Sequence, residues 1–270
     1  MMSNNWSDKI TTVLKNSYSY ADAMLYAVFT ATSIVFIDKL AEAIDPLVSL
    51  LFMVSGASIW FNLINFRHLA RLYTICCSNH RAYFLIALVI SINWIASIYA
   101  PHYGDPFIYL AIYFIILSIC GLLASYWQSK SNIYLISCAI LFITCIMLGF
   151  FYKIDPDRNI TIGFTLGIIG GISAYIYAFL SNKFIRKNGF TSSQLLAIRF
   201  LPLNLLLFFF LKFKHLSFNL HIHNIIFLII TTFISLIIPV YFYQQAIKNW
   251  QAIPKVLVLE VPAMVEIPVY

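Results

Sequence analysis

The stretch Ile90–Pro106, ISINWIASIYAPHYGDP, reads as the end of a hydrophobic helix, a polar hinge of a few residues, and the start of another helix. Whether that helix lies in a soluble core or in a bilayer is decided by the rest of the chain. The 270 residues are 61% hydrophobic, 17% aromatic and only 10% charged, with a mean hydropathy of +0.86. Soluble domains carry about 25% charged residues, and a soluble globule could not hide this much apolar surface. The composition therefore points to an all-α polytopic membrane protein. The net charge of +7 is not a nucleic-acid signal, because the basic residues sit in short loops between apolar runs, where they orient helices.

A hydrocarbon core about 30 Å thick takes roughly 20 apolar residues per helix. Runs that meet this length predict spans over 21–38, 46–65, 82–100, 107–127, 133–151, 161–181, 192–211, 223–246 and 254–270. Pro46, Pro101, Pro106 and Pro254 are expected at helix ends, and Pro202 and Pro239 inside helices. Residues 1–20 read as a polar N-terminal segment, not a cleavable signal. Lys and Arg gather on the N-terminal side of the alternating loops: Lys9, Lys15, Arg67, Arg71, Arg81, Lys130, Lys183, Arg186, Lys187, Lys248 and Lys255. The other side has Lys39, Lys153, Arg158, Lys212 and Lys214. This bias predicts a cytoplasmic N-terminus. The five cysteines show no metal or disulfide spacing and read as free thiols.

The opening stretch has an echo. With Ile90 set against Leu236, it faces LIIPVYFYQQAIKNWQA (236–252), and DPLVSLLFMVSGASIW (45–60) then faces TSSQLLAIRFLPLNLL (191–206). Identity is poor, but element lengths and hinges agree. The expected plan is a five-helix unit over 21–151 and a second over 161–270. An odd number of spans per unit inserts the second copy upside down, and such inverted repeats commonly place a binding site at their interface near the midplane. The second unit holds four spans, and the last, from Val256 to Tyr270, covers only about 22 Å as a helix. It is expected to be incomplete.

The second half resembles the drug/metabolite transporter superfamily, in particular its ten-helix EamA-type permeases. The resemblance is carried by GFTSSQLLAIRFLPL (189–203), with its Arg199-Phe200 pair, and by PVYFYQQAIKNWQAIPKVLVLEVPAM (239–264), with Ala246, Ala252, Glu260 and Pro262. The first copy has Met53 where the Arg would fall. The resemblance implies a secondary transporter whose third, fourth, sixth, eighth and ninth helices line a central cavity. On that reading Trp94, Tyr113 and Tyr175 are the mid-span aromatics expected to stack on a substrate.

Glu260 is an acid near a helix centre, where a charge costs roughly 2.5–3.5 kcal/mol on insertion scales. It is expected to bind a cation, exchange a proton or pair with Arg. Arg199 is placed to counter an anionic substrate, to pair with Glu260 or to brace the bundle. Gln244 and Gln245 sit at a helix end and are candidates for a gate. Gly163, Gly167 and Gly171 form a stripe of small residues suited to close helix packing. No phosphate-cradling glycine loop, Ser-His-Asp arrangement or HExxH motif is found, so no catalytic residue, metal or cofactor is expected. The expected function is secondary active transport of a small metabolite, amino acid or drug across a bacterial inner membrane, with proton or cation coupling. The alternatives are a membrane-embedded lipid or sugar acyltransferase, or a truncated remnant of a transporter.

Overall fold

A computed structural model describes residues 4–129, 159–214 and 221–249. The predicted spans 133–151 and 254–270 lie outside the described residues. The chain is an all-α polytopic membrane protein: among the described residues, seven helical segments are long and apolar enough to cross a bilayer. They correspond to the other seven expected spans.

The helices follow in this order. α1 is Asn4–Ala43, α2 Pro46–Ile64, α3 Leu69–Ser78, α4 His80–Tyr103, α5 Pro106–Ser129 and α6 Ile160–Asn188. The seventh span is broken into α7 (Ser192–Arg199) and α8 (Leu201–Lys214), and the eighth into α9 (Ile222–Thr232) and α10 (Ile238–Asn249). α1 begins well inside the segment read as a polar N-terminus and continues without a break into the first span.

Helix ends follow from local chemistry. Asp45 accepts the Leu47 N–H at 2.8 Å, with Pro46 at the first helical position. There the missing proline N–H costs nothing. Asp105 does the same for α5, accepting from Ile108 at 2.9 Å. Thr191 and Gln194 form a reciprocal capping box at the start of α7. Gly189 closes α6 in the left-handed conformation (φ 65°) that a residue without Cβ adopts freely. Pro101, expected at a helix end, lies in the last turns of α4, which runs on to Tyr103.

Two interruptions matter for function. At Phe200 the seventh span breaks. Pro202 has no N–H to return to the Ile198 carbonyl, and the Tyr83 hydroxyl donates to that oxygen instead at 2.9 Å. The Asn62 amide donates to the neighbouring Ala197 carbonyl at 3.0 Å. In the eighth span, Phe233–Ile237 form a π-helical turn, with the Ile238 N–H reaching back to the Phe233 carbonyl. Pro239 follows directly, and the widened turn accommodates it.

Packing is tightest around α6, which lies against α4 and α5. Its glycines explain how. A Cβ on Gly171 would lie 2.6 Å from the Tyr113 carbonyl oxygen, and one on Gly167 would lie 2.8 Å from the Ile112 Cβ. The glycine stripe is a packing face toward α5. α2 meets the broken seventh span through a polar ladder. Asn204 bonds Ser58 at 2.9 Å and Ser55 at 3.1 Å, and Asn65 bonds the Ser193 carbonyl at 3.1 Å. Outward faces carry large apolar side chains, such as Phe208, Phe209, Phe210 and Phe213 on α8. A contiguous surface of this kind suits lipid, not water. Between the second and third spans, α3 buries Leu72 and Cys76 and leaves Arg71 and Cys77 exposed. No span was expected there and none is present.

Candidate functional site

The first, third, fourth, sixth, seventh and eighth spans enclose one cavity of about 60 Å³. Ligand pockets run to roughly 300–1,000 Å³, while a water needs about 10–15 Å³. The cavity therefore has room for a few waters or a small polar group.

Arg199 is the one charged residue among the described residues of its wall. It ends α7, at the helix break, and is 0% exposed. Its Nη1 donates to the Tyr177 hydroxyl at 2.6 Å, and that hydroxyl donates in turn to Gln244 Oε1 at 2.6 Å. The guanidinium carbon sits 4.2 Å from the centre of the Phe200 ring and 5.1 Å from that of Tyr177. Its Nε and Nη2 have no hydrogen-bond partner among the described residues. The same holds for the buried Trp94 indole N–H, the Thr30 hydroxyl and the Gln244 amide nitrogen.

The rest of the wall is aromatic and hydroxylated. Tyr26 stacks on Tyr243 with ring centres 4.6 Å apart, and Tyr243 on Tyr177 at 6.4 Å. Tyr26 and Tyr113 share a hydrogen bond of 3.1 Å, and Tyr109 and Ser97 one of 2.6 Å. Asn93 donates to the Gly170 carbonyl at 3.0 Å, and Tyr243 donates to that of Ala174 at 3.2 Å. Arg199 thus ends a column of rings contributed by three separate spans. A cation over ring faces is stabilised by their quadrupoles, which offsets part of the cost of burying it.

No family model, no curated protein and no solved structure matches the chain. The wall's own chemistry carries the reading.

Of the residues singled out in the sequence, Arg199, Trp94 and Tyr113 meet at this cavity. Tyr175 does not line it; it is half-buried near Cys120, on another face of α6. Gln245 faces a separate groove between α2, α7 and α10, bonded to the Tyr241 hydroxyl at 2.8 Å. Its neighbour Gln244 is the buried amide joined to Tyr177. Glu260 lies outside the described residues. Sequence reading did not select Tyr26, Thr30, Asn93 or Tyr177 for the wall. Tyr177 carried a signal: it follows Gly170 by seven residues, about two helical turns, and so shares the packed face.

No three of His, Cys, Asp and Glu come together among the described residues. The described wall contains no His, Cys or carboxylate. It offers groups that bind, and no nucleophile paired with a base.

Proposed function

We propose that the chain is a secondary active transporter, built as an inverted repeat, that carries a small metabolite, amino acid or drug across a bacterial inner membrane. The observation that carries this reading is the small cavity with a fully buried Arg199 whose charge meets no carboxylate among the described wall residues. Ionisable groups at membrane depth mark substrate or ion pathways. Discontinuous helices beside a midplane site are a recurrent transporter device, and the breaks at Phe200 and at Phe233–Ile237 both border this cavity.

Helix neighbours support the repeat. If the first span exchanges with the sixth, the second with the seventh and the third with the eighth, contacts map onto contacts. α1 lies along the eighth span as α6 lies along α4, and α2 packs on the seventh, its own counterpart. α2 also touches the eighth as α4 touches the seventh. Transport then consists of rocking one unit against the other about the cavity. The loop charges orient the N-terminus to the cytoplasm, and coupling to a proton or cation falls to Glu260.

The reading is tested with single cysteines at Ser33 and Ser235, which line the cavity from α1 and the eighth span, in a chain freed of its other thiols. Alternating access predicts that each position reacts with membrane-impermeant reagents from either side, in proportions that substrate shifts. Reaction from one side only, whatever is added, would sink the proposal.

A further inference from the structure

We infer that the cavity is a carboxylate site, and that its ligand is a small organic monocarboxylate held by Arg199. That this ligand is also the transported molecule rests on the function proposed above; the binding site does not.

The argument starts from hydrogen-bond supply. Arg199 uses Nη1 on Tyr177 and leaves Nε and Nη2 without partners among the described residues. Those two nitrogens form one edge of the guanidinium, with parallel N–H bonds spaced to meet the two oxygens of a carboxylate. Buried polar groups are paired in the great majority of cases, so two orphan donors on one fully buried cation form an unmet demand for an acceptor. The Trp94 indole, which can only donate, lines the same cavity and is also buried without a partner. The Thr30 hydroxyl is a third such group on that wall.

Charge and size narrow the ligand. One guanidinium balances one negative charge; a phosphate dianion would bring a second, with no further cation among the described wall residues. A halide offers no two-point geometry. An amino acid would bring an ammonium, and the described wall holds no carboxylate to receive it. The remaining wall is aromatic, aliphatic and hydroxylated and carries no further charge among the described residues, so it fits a short uncharged tail. The volume of about 60 Å³ admits a carboxylate head and little else in this conformation, so the tail is short.

The test uses the purified full chain in nanodiscs, with thermal shift and titration calorimetry. Acetate and butyrate are compared with acetamide and butyramide and with chloride, and propionate is compared with alanine. The acids should bind and the amides should not, with propionate preferred to alanine. Arg199→Lys keeps the charge but loses the paired edge, and should weaken butyrate at least tenfold. Trp94→Phe removes one donor and keeps most of the ring, and should weaken it several-fold. Arg199→Gln serves if the lysine variant does not fold. Equal binding of acids and amides, displacement of butyrate by equimolar chloride, preference for alanine, or full affinity in the Arg199 variants would each overturn the site. Uptake into proteoliposomes is measured separately. Binding without uptake upholds the site and refutes the carrier; carboxylate uptake indifferent to Arg199 does the reverse.

Discussion

Replacing Arg199 by methionine should abolish ligand binding while leaving the stability of the fold nearly unchanged. An uncompensated charge in a protein interior costs about 3–5 kcal/mol, and that cost disappears with the side chain. Against it stand the charge-assisted bond to Tyr177 at 2.6 Å, about 1.5–3 kcal/mol, and the cation–ring contacts with Phe200 and Tyr177, together about 2 kcal/mol. Gain and loss cancel to within about 2 kcal/mol. The Tyr177 hydroxyl is not stranded, because it still donates to Gln244. SDS-induced unfolding in mixed micelles, followed by tryptophan fluorescence, measures the difference. A brace in the bundle would behave otherwise: its removal would cost the 3–5 kcal/mol expected when a satisfied buried polar partner is lost. A loss of that size would refute the reasoning. A cycle with Tyr177→Phe sharpens the test, since the two residues should couple by about 1–3 kcal/mol.

Other predictions follow from packing and exposure. Gly171→Val should destabilise the bundle by about 1–3 kcal/mol or more, because its Cβ would meet the Tyr113 carbonyl at 2.6 Å and the Ile116 Cβ at 2.8 Å; unfolding of the purified variant checks this, and Gly189→Ala, where nothing lies within 4 Å but φ is positive, should cost less. Asn204→Leu removes both rungs to Ser55 and Ser58 and should cost about 1–3 kcal/mol at the values measured for interhelical bonds in membranes. Burial, and then the neighbouring Cys77, push the Cys76 thiol up to about 12, so only about one molecule in 10⁴ is thiolate at pH 8. Single-cysteine chains should therefore label at the exposed Cys77 and not at Cys76, with Cys76 reacting only as pH climbs toward its raised value.

The seven described spans were legible because a bilayer imposes length and apolarity on every helix that crosses it. What periodicity could not convey was the inside of a helix. The break at Phe200 depends on Pro202, but also on Tyr83 and Asn62 arriving from other spans to satisfy the freed carbonyls. A proline alone would equally have allowed a kink. Tyr175 and Tyr177 differ by about 200° around α6, and the stripe Gly163, Gly167, Gly171, continued by four, runs to Tyr175. Gly170 points the other way: it packs against Tyr109 and Tyr113 of α5, and Tyr177 follows it by about two turns, with Ser173 between them on the same face. Gln244 and Gln245 pose the same problem one residue apart. Tyr243 and Val240 on the wall place Gln244 on the inner side, and the Tyr241–Gln245 pair occupies the outer one. Met53, set opposite Arg199 in the sequence echo, is fully buried as Arg199 is, so the two matched positions differ in charge and not in burial.

That asymmetry bears on why so costly a residue is kept. Were Arg199 only filling space, methionine at its position would pack as Met53 does in α2 and carry no desolvation cost. Among the described residues the cation instead meets ring faces and one hydroxyl, enough to hold it but not to satisfy it. A carboxylate on the wall would have completed the pairing and left a neutral brace, with no reason for a ligand to enter. A second fixed cation would have repelled the first. The arrangement holds the charge at the threshold where an incoming anion supplies what the described wall lacks. The walls beside it are built differently. α6 packs against α5 through glycines that leave no room for a Cβ, whereas the opposite walls are a broken seventh span and an eighth span with a π-helical turn. An anion binding at Arg199 acts on the break itself, because Arg199 is the last residue of α7.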